Sequence, residues 1–122
     1  MIRKVAFTRY PVKDMERARH FYEQILGIEV GKISSQGNWV EYDLPAGGCF
    51  ALTTLATDVS PSANAGGCIA FEVDNLDKLI EQLKSQGVQF KLDVFSSPVC
   101  RMAVILDSEG NAVTLHQVKS SN

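Results

Sequence analysis

Apolar residues recur at helical spacing in two stretches of this chain. Met15, Ala18, Phe21, Tyr22, Ile25 and Leu26 form one stripe, with Glu16, Arg17, Arg19 and Glu23 on the other side. Half a chain later, Leu76, Leu79, Ile80 and Leu83 share a second face. Asp14 and Asn75 stand where a short side-chain oxygen can take up a free N–H of the first helical turn. Gly27 and Gly87 follow as left-handed stops. The spacing predicts helices over residues 15–26 and over Leu76–Ser85.

Around each helix lie short runs of strand-forming residues. In the first half they cover residues 5–10, 28–33, 39–44 and 50–55, with turns at 34–38 and 45–48. In the second half they cover 69–73, 88–95, 101–106 and Ala112–Val118, with a turn at 107–111. Each half therefore reads strand, helix, strand, strand, strand. A repeat of half the chain length means two copies of one supersecondary unit.

The expected fold is α+β: two βαβββ modules whose curved sheets surround a cleft, all within one domain of residues 1–122. Module one takes about residues 1–55, a small polar linker 56–67, and module two about 68–122. The open sheet edges predict a homodimer.

Composition narrows the function classes. The chain has 122 residues, 45% of them apolar and 21% charged, which suits one globular domain with a real core. Its formal net charge of −2 comes with no basic cluster, so neither nucleic acid nor an anionic membrane surface is an expected partner. The apolar run after Met1-Ile2-Arg3-Lys4 is too short for a signal peptide. Three widely spaced cysteines, Cys49, Cys68 and Cys100, do not form a disulfide framework, and the cytoplasm is the expected compartment.

The segment from Val12-Lys13-Asp14-Met15 through Phe21-Tyr22 to Leu26-Gly27 resembles the vicinal oxygen chelate superfamily. Ala70-Phe71-Glu72-Val73-Asp74 and Asp107-Ser108-Glu109-Gly110-Asn111 extend the resemblance over nearly the whole chain. That superfamily includes glyoxalase I, extradiol dioxygenases and the fosfomycin- and bleomycin-resistance proteins. The matching motifs pack and turn the chain, so they specify the fold and no single reaction.

The resemblance implies a divalent metal in the cleft, held by His or Glu from the first and last strands of the modules. At those positions this chain has Phe7, Cys68 and Thr114, and the remaining one falls near residues 50–52, where no carboxylate or imidazole stands. Phenylalanine cannot ligate a metal, threonine is a poor neutral ligand, and one cysteine is not a site. No metal is expected at the usual position. A relocated divalent site built from Glu41, His116 and Cys100 stays open as an alternative.

Strand alternation selects the cleft candidates. Phe7 and Arg9 share a face, as do Trp39 and Glu41, Cys100 and Met102, and Thr114 and His116. Phe7, Arg9, Trp39, Cys100, Met102 and Thr114 are the expected ligand-binding residues. His116 and Glu41 are the candidate catalytic pair, an imidazole that titrates near neutral pH and its expected acidic neighbour. A solvent-facing histidine and an exposed strand carboxylate are the competing readings. For Cys100 no general base stands nearby in sequence, and a small buried hydrophobe is the commoner role.

Three functions follow. The first is a metal-independent protein holding a small organic molecule in an apolar cleft. The second is a lyase, isomerase or dioxygenase-like enzyme with a non-standard site around Glu41 and His116. The third is an interaction module without chemistry.

Overall fold

The structure is a computed structural model that describes residues 1–119. The last three residues of the expected second module, 120–122, lie outside the described residues. The chain divides into two compact units, Met1–Pro61 and Ser62–Asn122, and the boundary falls within the small polar stretch 56–67.

Unit one contains β1 (Thr8–Pro11), α1 (Met15–Arg19), β2 (Lys32–Ser34), β3 (Trp39–Asp43) and β4 (Cys49–Thr53). Its sheet has the order β1-β4-β3-β2, with β1 parallel to β4 and the other pairs antiparallel. Unit two contains β5 (Ile69–Glu72), α2 (Leu76–Ser85), β6 (Phe90–Ser96), β7 (Cys100–Leu106) and β8 (Ala112–Val118). Its order is β5-β8-β7-β6, again with only the first and last strands parallel. Both units thus show the βαβββ topology, and the class is α+β.

Each sheet buries the face beneath its helix. In unit one Val40, Tyr42, Phe50 and Leu52 are fully buried, together with Ala18 and Tyr22 of the helical segment. The Phe50 ring lies 4.9 Å from that of Tyr22, 5.2 Å from Tyr10 and 6.2 Å from Tyr42, centroid to centroid. In unit two Leu76, Ile80 and Leu83 of α2 are buried, as are Ala103, Ile105, Val113 and Leu115 of the sheet. The expected caps are in place: the Arg17 N–H donates to Asp14 Oδ1 at 3.0 Å and the Lys78 N–H to Asn75 Oδ1 at 3.1 Å. Among the described residues no helix is long and apolar enough to cross a membrane.

Four elements differ most from the sequence expectation. The first helix is α-helical only as far as Arg19, and residues His20–Ile25 continue as a π-helical turn. Its signature is the Leu26 N–H, which reaches back five residues to the Phe21 carbonyl at 2.9 Å. The wider turn lets the adjacent rings of Phe21 and Tyr22 both enter the core. The first strand starts at Thr8, because β4 offers ladder partners only to Thr8–Pro11. Val5 is consequently 77% exposed. The second strand shrinks to Lys32–Ser34: the Ile28 N–H is committed to the Tyr22 carbonyl, so the chain is still closing the helix there. The expected turn at 34–38 is a short 3-10 turn at Ser35–Gly37, with Ser35 and Gln36 at positive φ.

The π-turn also aims Glu23 at the sheet. Its carboxylate accepts from Arg19 Nε at 2.7 Å and from Tyr42 Oη at 2.8 Å. Burial pushes the Glu23 carboxyl up, but the hydrogen bonds from Arg19 and Tyr42 outweigh it and hold the group below the usual carboxylate range. Burial and the bond to Glu23 in turn push the Tyr42 phenol well above its ordinary value. A lowered folded-state value contributes stability above the unfolded value of about 4.3, and that stability is lost as pH falls through the folded value. The stability gap between wild type and Glu23→Gln is therefore expected to be full at neutral pH and to close on acidification below about pH 4.3. Urea unfolding at a series of pH values measures this, and a gap independent of pH would refute it.

Candidate functional site

The sheet face turned away from each helix carries the candidate side chains. In unit one, Trp39 and Glu41 sit two residues apart on β3 and share this face. The Trp39 indole Nε1–H donates to Glu41 Oε2 at 2.7 Å, and Cys49 Sγ, from β4, donates to Glu41 Oε1 at 3.7 Å. Both carboxylate oxygens are thus engaged. Phe7, just ahead of β1, meets Trp39 edge to face with ring centroids 5.1 Å apart. Ala51 stands between Arg9 and Glu41 in the register, and its small side chain leaves room for large neighbours above the sheet. Trp39 is half-buried and Phe7 is 43% exposed, so the pair presents an aromatic surface. Arg9 shares the face, but its guanidinium reaches Asp58, 3.9 Å away and exposed. The Cys49 thiol is pushed up by burial and by the neighbouring Glu41 and Asp43 carboxylates, which keeps it protonated.

In unit two the ladder aligns Phe95, Met102, His116 and Glu72 as successive register partners across β6, β7, β8 and β5. His116 Nδ1 lies 2.5 Å from Glu72 Oε1, and Glu72 Oε2 accepts the Val118 N–H at 2.9 Å. Within unit two the acidic neighbour of His116 is Glu72, and within unit one Glu41 holds the Trp39 indole. The reason is the parallel pairing of β5 with β8, which sets Glu72 directly beside His116. The hydrogen bond to Glu72 pushes the His116 imidazole above its ordinary range, against the effect of burial. The missed residue had a readable signal, since alternation from Cys68 through Ala70 places Glu72 on the same face.

Thr114 and Cys68 also share this face. Their Oγ1 and Sγ lie 3.4 Å apart, and Cys68 Sγ donates to the Ala112 carbonyl at 3.3 Å. These side chains do not suit a divalent ion. Phe7 offers only a ring, Thr114 a neutral hydroxyl, and the Cys68 sulfur is occupied as a hydrogen-bond donor. At the remaining family position Phe50 and Leu52 point into the core and Ala51 has no donor atom. Among the described residues, no three His, Cys, Asp or Glu side chains are grouped to hold a metal ion.

An open groove of about 530 Å³ lies along α1 and its π-helical continuation, lined by Met15, Glu16, Arg19, His20, Glu23, Gln24 and Gly37. Its charged lining and its place on the helix separate it from the Phe7–Trp39 face.

The matching solved structures span nearly the whole chain. An antibiotic binding protein, TnmS3 from Streptomyces sp. CB03234, is 23% identical and superposes with a TM-score of 0.80 over 97% of this chain and 98% of that one. A glyoxalase/dioxygenase from Nostoc punctiforme is 18% identical, with a TM-score of 0.79 over 97% and 92% of the two chains. The fosfomycin resistance protein FosX from Listeria monocytogenes is 21% identical, with a TM-score of 0.72 over 96% and 94%. At these identities the likeness is one of fold. A comparison with curated protein sequences gives no match. Residues 4–115 match the family model of the Glyoxalase/Bleomycin resistance protein/Dioxygenase superfamily. With the motifs, the repeated βαβββ topology and that match in agreement, the chain belongs to the glyoxalase/bleomycin resistance protein/dioxygenase superfamily, the vicinal oxygen chelate fold.

Proposed function

We propose that this protein binds a small, largely apolar organic molecule against the Phe7–Trp39 surface, without a divalent ion at the family's usual position. The observation that carries the reading is the exposed edge-to-face pair of Phe7 and Trp39, with the indole fixed by Glu41. A ring held by its own N–H presents a rigid apolar plane and loses little conformational freedom on binding. The donor-poor residues at the family's ligand positions support binding without metal chemistry, and one fold neighbour is described as an antibiotic binding protein. Met102, Phe95 and Thr114 give unit two a mixed surface of the same kind. In this reading the protein works in the cytoplasm, with its cysteines free, and as a homodimer.

A thermal-shift screen of hydrophobic metabolites and antibiotics, run with and without EDTA, tests the proposal. At least one compound is expected to raise the melting temperature equally in both, and to change Trp39 fluorescence on titration. Trp39→Leu is then expected to weaken that compound roughly tenfold or more, as loss of a central aromatic anchor does. A screen without any stabilising compound, or a shift abolished by EDTA, would count against it. Light scattering at the single-chain mass of 13.4 kDa would remove the homodimer from the reading.

A further inference from the structure

The three cysteines stand in three different hydrogen-bonding environments. Cys49 donates to the Glu41 carboxylate, which favours its protonated thiol, and Cys68 donates to the Ala112 carbonyl. Cys100 differs. Its sulfur lies 3.3 Å from Ser97 Oγ. That hydroxyl oxygen also accepts the Cys100 N–H at 3.1 Å and the Val99 N–H at 3.3 Å, and its own hydrogen has two acceptors in reach, the sulfur and the Cys100 carbonyl 3.4 Å away. Lys119 Nζ, 2.7 Å from the Ser97 carbonyl, adds a positive charge beside the same turn.

Strand register supplies the base that is distant in sequence. Cys100 opposes Val118 and Met102 opposes His116 on the antiparallel β7–β8 ladder, so Cys100 and His116 are diagonal neighbours on the helix-free face. On the far side of His116, Glu72 engages Nδ1 and is itself anchored by the Val118 N–H. In the neutral ring that bond fixes the proton on Nδ1 and leaves the lone pair on Nε2. The charged groups facing this cluster are Glu72 from β5, His116 from β8 and Lys119 just beyond β8. Arg101, from β7, turns to the opposite face and pairs with Asp77 of α2 at 2.6 Å. The electrostatics agree: Ser97 and then His116 draw the Cys100 thiol down against burial, whereas Cys49 is driven up.

We propose that Cys100, His116 and Glu72 form a nucleophilic thiol site that captures soft carbon electrophiles, the class of alkenes conjugated to a carbonyl, as thioether adducts. His116 Nε2 takes the proton from Sγ. The sulfur lone pair forms the S–C bond at the β-carbon as the C=C π pair moves into an enolate. The imidazolium then returns its proton to the α-carbon. The sum is addition of S–H across the double bond, with no oxidant and no leaving group. Phe95 and Met102 flank the cluster in the same register row and favour an uncharged organic partner. Cys100 itself is only 7% exposed, while the His116 and Glu72 side chains are 29% and 54% exposed, so the electrophile approaches from the imidazole side.

The test uses the wild-type protein at pH 7 and N-ethylmaleimide, with peptide mapping by mass spectrometry to follow each cysteine separately. Cys100 is expected to react first, and faster in the folded protein than in the same protein unfolded in guanidinium. His116→Gln and Glu72→Gln, with folding checked by circular dichroism, are each expected to slow Cys100 roughly tenfold or more. A buried filler thiol gives the reverse. Protection of Cys100 in the folded state, or rates unchanged in the Glu72→Gln variant, would overturn the proposal. The inference is independent of the ligand-binding reading, because Cys100 can alkylate in a protein that fails the thermal-shift screen and the converse holds equally.

Discussion

Phe50→Ala is expected to lower the stability of unit one by about 3–5 kcal/mol, the range for truncating a buried aromatic ring. Phe50 sits on β4 between β1 and β3, is fully buried, and its ring touches three tyrosines. Two of these, Tyr10 and Tyr42, belong to the sheet, and Tyr22 comes from the π-helical turn. Removing the ring leaves a cavity that none of the three can fill without moving off its own contacts. Tyr42 is tied by its hydroxyl to Glu23 and has little freedom to follow. Trp39, the single tryptophan of the chain, lies in the same sheet, so its fluorescence in urea reports the loss directly. Phe50→Leu keeps most of the volume and is expected to cost clearly less. A loss below about 1 kcal/mol for the alanine variant would mean the aromatic cluster is not the centre of this core.

The second large effect is expected at the β7–β8 turn. Asp107 is buried and accepts the backbone N–H groups of Glu109 and Asn111, each at 2.8 Å, through Oδ1. Its Oδ2 takes the Asn111 side-chain N–H at 3.1 Å, and Asn111 Oδ1 in turn accepts the Ser62 N–H at 3.1 Å. One carboxylate thus organises the turn that joins two central strands. Gly110 between them has φ +90, a backbone state glycine adopts without strain. Asp107→Ala strands these donors, and each buried unpaired donor costs about 1–3 kcal/mol, so a total loss on the order of 2–4 kcal/mol is expected. Asp107→Asn retains the Oδ1 acceptor and is expected to lose less. Far-UV circular dichroism during thermal unfolding measures both variants. Equal, small losses in the two would show that water replaces the carboxylate.

How much of this was readable in the sequence depended on which interactions are local. α2 and β8 lie where the periodicity and the caps put them, because both signals come from neighbours in sequence. The first and second strands were overextended, since their length is set by partners on β4 and β3. The π-turn was invisible: Phe21, Tyr22, Ile25 and Leu26 fit an α-helical stripe, and only the packing of two adjacent rings favours the wider turn. Alternation grouped Trp39 with Glu41, Cys100 with Met102 and Thr114 with His116, and the strands carry each pair at alternate positions. It could not give their partners. Glu72 next to His116, and Ser97 next to Cys100, follow from register and from a tight turn, which are properties of the assembled sheet.

The parallel ladder that joins first and last strand in each unit has a kinetic consequence. The hairpins β3–β4 and β7–β8 close over short turns and can form early. β1 must wait for β4, and β5 for β8, with a helix and two strands made in between. Contacts that distant are entropically costly to bring together and slow a domain down. Each unit is therefore expected to complete this pairing late, with its first strand joining last. The pairing of Glu72 with His116 comes into being only when that step is complete.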